Sequence, residues 1–228
     1  MKKAAARRDQ HRQEIADDVR DQKRERILEA AEDLFFKHGY AGTTIADIVD
    51  ELGVTKPYLY YYFNNKNEIF ETLCWRSSVA CLTSMRFGAD DARPAVEKLR
   101  DGLHRFAAAN IAYFKAGTFA YREGAALDPA LMKSLRAMAR RFYRELGALL
   151  EQARKSGDCD FDNAKLTALA IGGVATSLYT WYKPDGSIAP GDMVDQLTRI
   201  MLKIAGAQPA PAKTGQKRKA TTSKKAQP

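Results

Sequence analysis

Cysteine, histidine and tryptophan are scarce in this chain of 228 residues: three Cys, three His and two Trp. Cys74 and Cys81 lie seven apart and Cys159 is remote, a spacing that fits neither a zinc site nor a disulfide framework. His11, His38 and His104 are scattered, so no histidine cluster offers a metal or a general base. No glycine-rich phosphate cradle and no strained serine elbow occurs. These absences argue against an enzyme and leave no expected metal or cofactor. No apolar run of about 20 residues and no leader-like segment appears, so a cytoplasmic location and no membrane partner are expected. Alternation with a period of two is also scarce. The fold class that remains is all-α.

The most informative stretch runs from Thr43 to Phe70, TTIADIVDELGVTKPYLYYYFNNKNEIF. Gly39 ends a preceding helical pattern built on Ile27, Leu28, Ala31, Leu34 and Phe35. Thr44 stands before Ile45, Ile48, Val49 and Leu52 at helical spacing, and Asp47 three residues on completes a T-x-x-D capping box. Gly53 breaks that helix. Thr55 can cap a second one, which carries Pro57 in its tolerant first turn. Asn65 with Glu68 repeats the capping logic for a third. Two short helices joined by a turn containing glycine make the helix-turn-helix plan. An ordinary helical hairpin would share this plan, but not its second helix. Tyr58, Tyr60, Tyr61 and Tyr62 fall within five residues, flanked by Lys56 and Lys66. Residues on a helix point about 100° apart, so these rings cannot all be buried on one face. DNA is the physical partner that suits the surplus.

In register, Thr43, Thr44, Ile48, Gly53, Val54, Thr55, Leu59, Tyr60, Tyr62, Phe63, Lys66 and Ile69 resemble the DNA-binding domain of the tetracycline-repressor (TetR) family, with Val49 in place of the usual alanine. The resemblance covers about residues 22–75 closely and is architectural beyond. It implies an N-terminal three-helix helix-turn-helix domain plus a larger C-terminal helical domain for ligand binding and dimerisation. It also implies a homodimeric transcriptional regulator, most often a repressor, on double-stranded DNA with a pseudo-palindromic operator. Thr44 would hold a phosphate. Tyr60, Tyr62 and Lys66 match phosphate-anchoring positions; the alternatives are core packing of Tyr60 with only its hydroxyl exposed and a solvated charge at Lys66. Lys56, Tyr58 and Tyr61 match groove-facing ones, and Leu59 and Phe63 lock the helix inward.

Charge divides the chain unexpectedly. There are 37 Lys and Arg against 28 Asp and Glu, a net of +9. Residues 22–75 nevertheless hold six bases and nine acids, a net of −3. Six of the nine excess charges sit in the last residues, where Lys213, Lys217, Arg218, Lys219, Lys224 and Lys225 face no acid. The expected organisation is a polar, flexible arm (1–20), the DNA-binding domain (21–68), the helical regulatory domain (69–205) and a disordered basic tail (206–228). The tail supports an alternative function, non-specific architectural DNA binding through phosphate contacts.

Helices are expected near 66–87, 94–115, 117–125 and 128–155, the last opening on Asp128-Pro129. Two more, near 162–182 and 190–205, flank the turn Lys183-Pro184-Asp185-Gly186. In TetR-like proteins this final pair forms the subunit interface, which assigns that role to Leu169, Gly173, Leu178, Met193, Leu197, Ile200, Met201 and Ile204. The same stripes could instead close the monomer's core. A pocket for a small-molecule effector is expected among Phe106, Asn110, Tyr113, Phe114, Tyr121, Arg140 and Tyr179, although aromatics at this spacing also build plain core. The phrase SLYTWYKPDGSIAP resembles regulators that respond to acyl-CoA thioesters.

Overall fold

The computed structural model describes residues 2–207. Its elements, in chain order, are α1 (Lys2–Gly42), α2 (Ile45–Leu52), α3 (Lys56–Tyr62), α4 (Lys66–Leu82), α5 (Ala95–Ala112), α6 (Phe114–Glu123), a short 3₁₀ turn (Gly124–Ala126), α7 (Pro129–Lys155), α8 (Ala164–Trp181) and α9 (Pro190–Ile204). Among the described residues there is no strand. The stretch read as a polar arm continues α1 as helix, and most of the basic tail lies outside the described residues.

Local chemistry sets most boundaries. Gly39 adopts φ 76° and ψ 163°, open to glycine almost alone, and bends the chain out of α1 toward the helix-turn-helix, the expected DNA reader. Thr44 caps α2, and Gly53, left-handed at φ 64°, ends it. Asn65 accepts from the Glu68 amide to start α4, and Asp128 accepts from the amides of Ala130 and Leu131 to start α7. Helix α4 stops at Leu82, five residues before the expected end. Helix α6 starts three residues early, because the chain bends at Tyr113 and resumes at once.

The core divides in two. The smaller cluster gathers Ile27, Leu28, Phe35, Ile48, Leu59, Phe63, Ile69 and Phe70 around the helix-turn-helix. It is completed by Ala116 and Phe119 of α6 and by Leu127. Phe119 lies 5.7 Å from Phe35 and 5.5 Å from Phe70, ring to ring. The larger cluster joins α4, α5, α7, α8 and α9 through residues such as Cys81, Leu103, Phe106, Phe142, Leu146, Ile171 and Met201. Helix α4 thus contributes Phe70 to one core and Cys81 to the other. A boundary drawn at residue 68 cuts it near its first turn.

Candidate nucleic-acid interface and effector cavity

At the start of α2 the capping box closes on itself. The Thr44 amide donates to Asp47 Oδ2 at 2.7 Å, the Thr44 hydroxyl donates to the same oxygen at 2.9 Å, and the Asp47 amide donates to Thr44 Oγ1 at 3.2 Å. These bonds, led by the Thr44 amide, hold the Asp47 carboxyl below its ordinary range. Thr44 is therefore exposed but engaged, and a phosphate arriving there would compete with a carboxylate. Thr55 occupies the cap position of α3 without a side-chain cap bond. Lys56 and Pro57 are exposed beside it.

The faces of α3 separate cleanly. Leu59 and Phe63 are buried at 0% and 1% exposure, while Tyr60 and Tyr61 stand out at 50% and 69%. Tyr58 and Tyr62, one turn apart, lean on each other at 5.2 Å between ring centres and pack partly against the small core. The division expected from the family register paired Tyr58 with Tyr61 toward bases. Exposure pairs Tyr60 with Tyr61 instead, because the i, i+4 spacing of Tyr58 and Tyr62 makes them mutual packing partners.

Lys66 departs further from expectation. Its ammonium donates to the carbonyls of Tyr40 (2.6 Å) and Thr43 (2.7 Å) and lies 4.1 Å from the Tyr40 ring centre. It is half-buried and ties the chain just before α2, rather than extending as a free phosphate anchor. Tyr40 is a junction that the sequence did not flag. Its amide donates to Glu123 Oε2 at the end of α6 (2.8 Å), and its hydroxyl donates to Asn67 Oδ1 on α4 (3.2 Å). Asn67 donates in turn to Glu71, whose carboxylate also accepts from the Asp128 amide. Arg24, equally unmarked, donates to the Tyr62 carbonyl and lies 4.0 Å from the Phe63 ring centre.

Residues 27–73 match the model of bacterial regulatory proteins, tetR family, and residues 92–205 match the tetracyclin repressor-like C-terminal domain. The chain belongs to the TetR family. The regulator TtgR of Pseudomonas putida is 50% identical over 50 residues, 22% of this chain and 24% of that protein. The chain thus spans about a quarter of the length of this curated relative. Among solved structures, PfmR from Thermus thermophilus covers 78% of this chain and 97% of its own at a TM-score of 0.68 and 22% identity. AibR, solved with isovaleryl coenzyme A and operator DNA, covers 82% and 100% at 0.62 and 22% identity. At these identities the two structures speak for the fold.

In the TetR-type C-terminal domain, a cavity of about 290 Å³ lies between α4, α5, α6, α7 and α8. Of the residues expected to line a pocket, Phe106, Asn110, Tyr121 and Tyr179 do. The Tyr179 hydroxyl donates to Asn110 Oδ1 at 2.9 Å, and burial raises the Tyr179 pKa. Phe114 is instead core, edge-on to Tyr182 at 4.9 Å, while Tyr113 points outward, because the chain bends between α5 and α6. Arg140 lies on the outer face of α7, since it is two residues, about 200°, from the inward Phe142. The glycines in the wall gave no signal as cavity residues. A Cβ at Gly117 would stand 2.6 Å from the Tyr179 ring. Cys81 is another wall residue, and burial pushes its thiol up to about 12.

The expected interface residues divide in the same way. Leu178, Met193, Leu197 and Met201 are buried in the chain's own core, at 0–4% exposure, so the inner stripe closes the monomer. Leu169 and Ile200 are each 46% exposed, Gly173 is exposed and Ile204 is half-buried. Leu166 at 64% and Trp181 at 53% extend this outward apolar strip. Among the described residues, no three His, Cys, Asp or Glu side chains converge as metal ligands, and no helix is long and apolar enough to cross a membrane.

Proposed function

We propose that this chain is a DNA-binding transcriptional regulator. It would act as a homodimer that grips a pseudo-palindromic operator and is released when a small molecule enters the α4–α8 cavity. The observation that carries this reading is the double duty of α4 and α6. Both line the cavity, through Ser77 and Cys81 on α4 and through Gly117 and Tyr121 on α6. Both also hold the reader, through Lys66, Asn67 and Phe70 on one side and through Glu123 and Phe119 on the other. A ligand that favours one arrangement of these helices changes the spacing of two recognition helices by its differential affinity.

Lys56, Tyr60 and Tyr61 are the exposed side chains of α3 suited to groove contact, with Tyr58 at their edge. The outward strip of Leu166, Leu169, Gly173 and Ile200 is the surface for a second subunit. The effector is an apolar body with one polar group for the Asn110–Tyr179 pair. The isovaleryl coenzyme A held by AibR carries a short apolar acyl end, although the rest of that molecule is polar and anionic. Nuclease footprinting on DNA flanking the gene tests the reading, with native mass spectrometry of the purified protein to detect a co-bound molecule. Protection of one symmetric site, lost in a Lys56→Ala/Tyr61→Ala variant, is expected. Equal binding to unrelated duplexes with a steep salt dependence would replace this reading with architectural binding through the tail.

A further inference from the structure

Past the end of α4, residues 85–88 close a pocket of about 400 Å³ with the first turn of α5 and the second half of α7. It shares no lining residue with the inner cavity. It lies at the end of α4 away from the reader, seventeen residues from Lys66, or about 25 Å at the helical rise. Its floor is apolar and fixed, since Met85 and Leu149 belong to the larger core at 2% and 8% exposure. Its walls are charged, with Arg86, Lys98, Arg141 and Glu145.

Two of these cations have donors left. Among the described residues the Arg86 side chain has no hydrogen bond or ion pair. Lys98 gives one of its three N–H groups to the Asp91 carbonyl at 3.0 Å. The acids of the neighbouring loop are already held, Asp91 by Arg93 at 2.8 Å and Asp101 by Arg93 at 3.1 Å. The third cation, Arg141, donates to Glu145 Oε1 at 2.6 Å. Glu145 Oε2 is buried and has no partner among the described residues. Ser84 Oγ, next in the chain to Met85, is the other buried side-chain atom in that position. An ionised carboxylate offers about four acceptor sites, and leaving a buried one unmet costs about 1–3 kcal/mol. Rotation about one bond exchanges the two oxygens, so a donor in the pocket can take either while Arg141 keeps the other.

These charges call for a ligand of mixed sign. An anion alone would satisfy Arg86 and Lys98 and leave the Glu145 oxygen bare. An amine alone would do the reverse. One short molecule that carries both groups satisfies all three side chains, and the apolar floor receives what remains of it.

We propose that this pocket is a second effector site, for a small zwitterion with an amine, a carboxylate and an apolar side chain. The ammonium donates to Glu145, the carboxylate lies on Arg86 and Lys98, and the side chain rests on Met85 and Leu149. When occupied, the site ties the end of α4 to α7. Helix α4 begins at Lys66 and Asn67, which hold the reader. A ligand that prefers one placement of α4 therefore changes DNA affinity from this end, independently of the inner cavity. That coupling rests on the regulator reading above, whereas the binding does not.

The test is calorimetric titration of the full-length protein with L-leucine and with L-phenylalanine. Each is run beside the acid that lacks its amine (4-methylpentanoate, 3-phenylpropanoate) and the amine that lacks its carboxyl (3-methylbutylamine, phenethylamine). The variants are Arg86→Met and Glu145→Gln, with thermal melts to check folding. The better amino acid should bind at least about tenfold tighter than either of its analogues. Arg86→Met should weaken the amino acid and the acid at least about tenfold and leave the amine unaltered. Glu145→Gln should weaken the amino acid and the amine by as much and leave the acid unaltered. With the amino acid saturating, operator affinity in fluorescence anisotropy should change at least about fivefold. Binding of neither amino acid, an analogue as tight as its parent, or wild-type binding by both variants would each overturn the proposal. An operator affinity unmoved by the bound amino acid would overturn it too, since the pocket would then be no effector site. If the wild-type chain binds no operator, the regulator reading fails, and the titrations still decide whether the pocket takes a zwitterion.

Discussion

A lysine held between two carbonyls, at 2.6 and 2.7 Å, answers to substitution differently from one waiting for a phosphate. Lys66→Met keeps the stem but removes the ammonium from the carbonyls of Thr43 and Tyr40, leaving Tyr40 only the Thr43 amide at 3.4 Å. It should lower stability by about 1–3 kcal/mol. It should weaken all duplexes alike while leaving the slope of log affinity against log salt unchanged. Thermal melts and a salt series check both. A slope reduced by about one phosphate's worth with an unchanged melt would return Lys66 to the DNA backbone. The type of residue and its spacing were legible in the sequence. Its acceptors, 26 and 23 positions away, were not. For Tyr58 the reverse holds: its i, i+4 relation to Tyr62 is legible in the sequence, and the family register assigns it to the groove all the same.

Between elements, the joint at Tyr40 is where α6 meets the reader. Glu123→Ala removes the acceptor of a part-buried amide across 83 positions and should cost about 1–3 kcal/mol. It should also separate two functions. Effector affinity measured by calorimetry should hold, because Glu123 does not line the cavity, while the concentration of effector needed to release operator DNA should shift. If release and binding stay coupled as in the wild type, the signal does not travel through α6. Helix α2 carries a pH dependence of its own. Asp47 has a folded pKa below the unfolded one, as does Glu25, whose carboxylate receives two bonds from Arg76 at 2.6 Å. Carboxylates of this kind contribute stability above their unfolded pKa, near 4, and lose it as pH falls through the folded value. Melting temperature should therefore fall below about pH 4, and Asp47→Asn should flatten part of that fall. The caps at Thr44, Asn65 and Asp128 and the stop at Gly53 were readable because each is settled within four residues. Where α4 and α6 begin and end, and which core each joins, depends on partners elsewhere in the chain. Periodicity alone does not name them.

For the molecule as a whole, the α8–α9 pair carries two apolar stripes, and the sequence left open which one faces out. Ile200 and Met201 are neighbours with opposite roles, 46% and 1% exposed. Ile200→Asp should shift the oligomer toward monomer in sedimentation without lowering the stability of the monomer. Met201→Ala should cost about 2–5 kcal/mol in any oligomeric state. A loss of stability from Ile200→Asp that persists at high dilution would place that side chain inside the chain's own core. Charge acts at the same scale. Residues 22–75 are net −3, and Asp47 places a carboxylate at the N-terminus of α2, so on the proposed reading this domain would repel DNA at long range. Short-range donors on α3 can supply specificity, but the approach must be driven from elsewhere. The six basic residues from Lys213 to Lys225 lie outside the described residues, and removing them takes the chain from +9 to +3. Truncation after Ala207 should therefore lower affinity for unrelated duplexes more than for the operator. It should also make the salt dependence shallower by about 0.9 for each phosphate that the tail neutralises, and slow association at low ionic strength. Fluorescence anisotropy with both duplexes across a salt series separates these effects. An unchanged slope would mean that the folded residues supply the whole electrostatic attraction despite their balance. In that case the cations of α1 that precede the reader's core, Lys23 and Arg20 among them, become the next place to substitute.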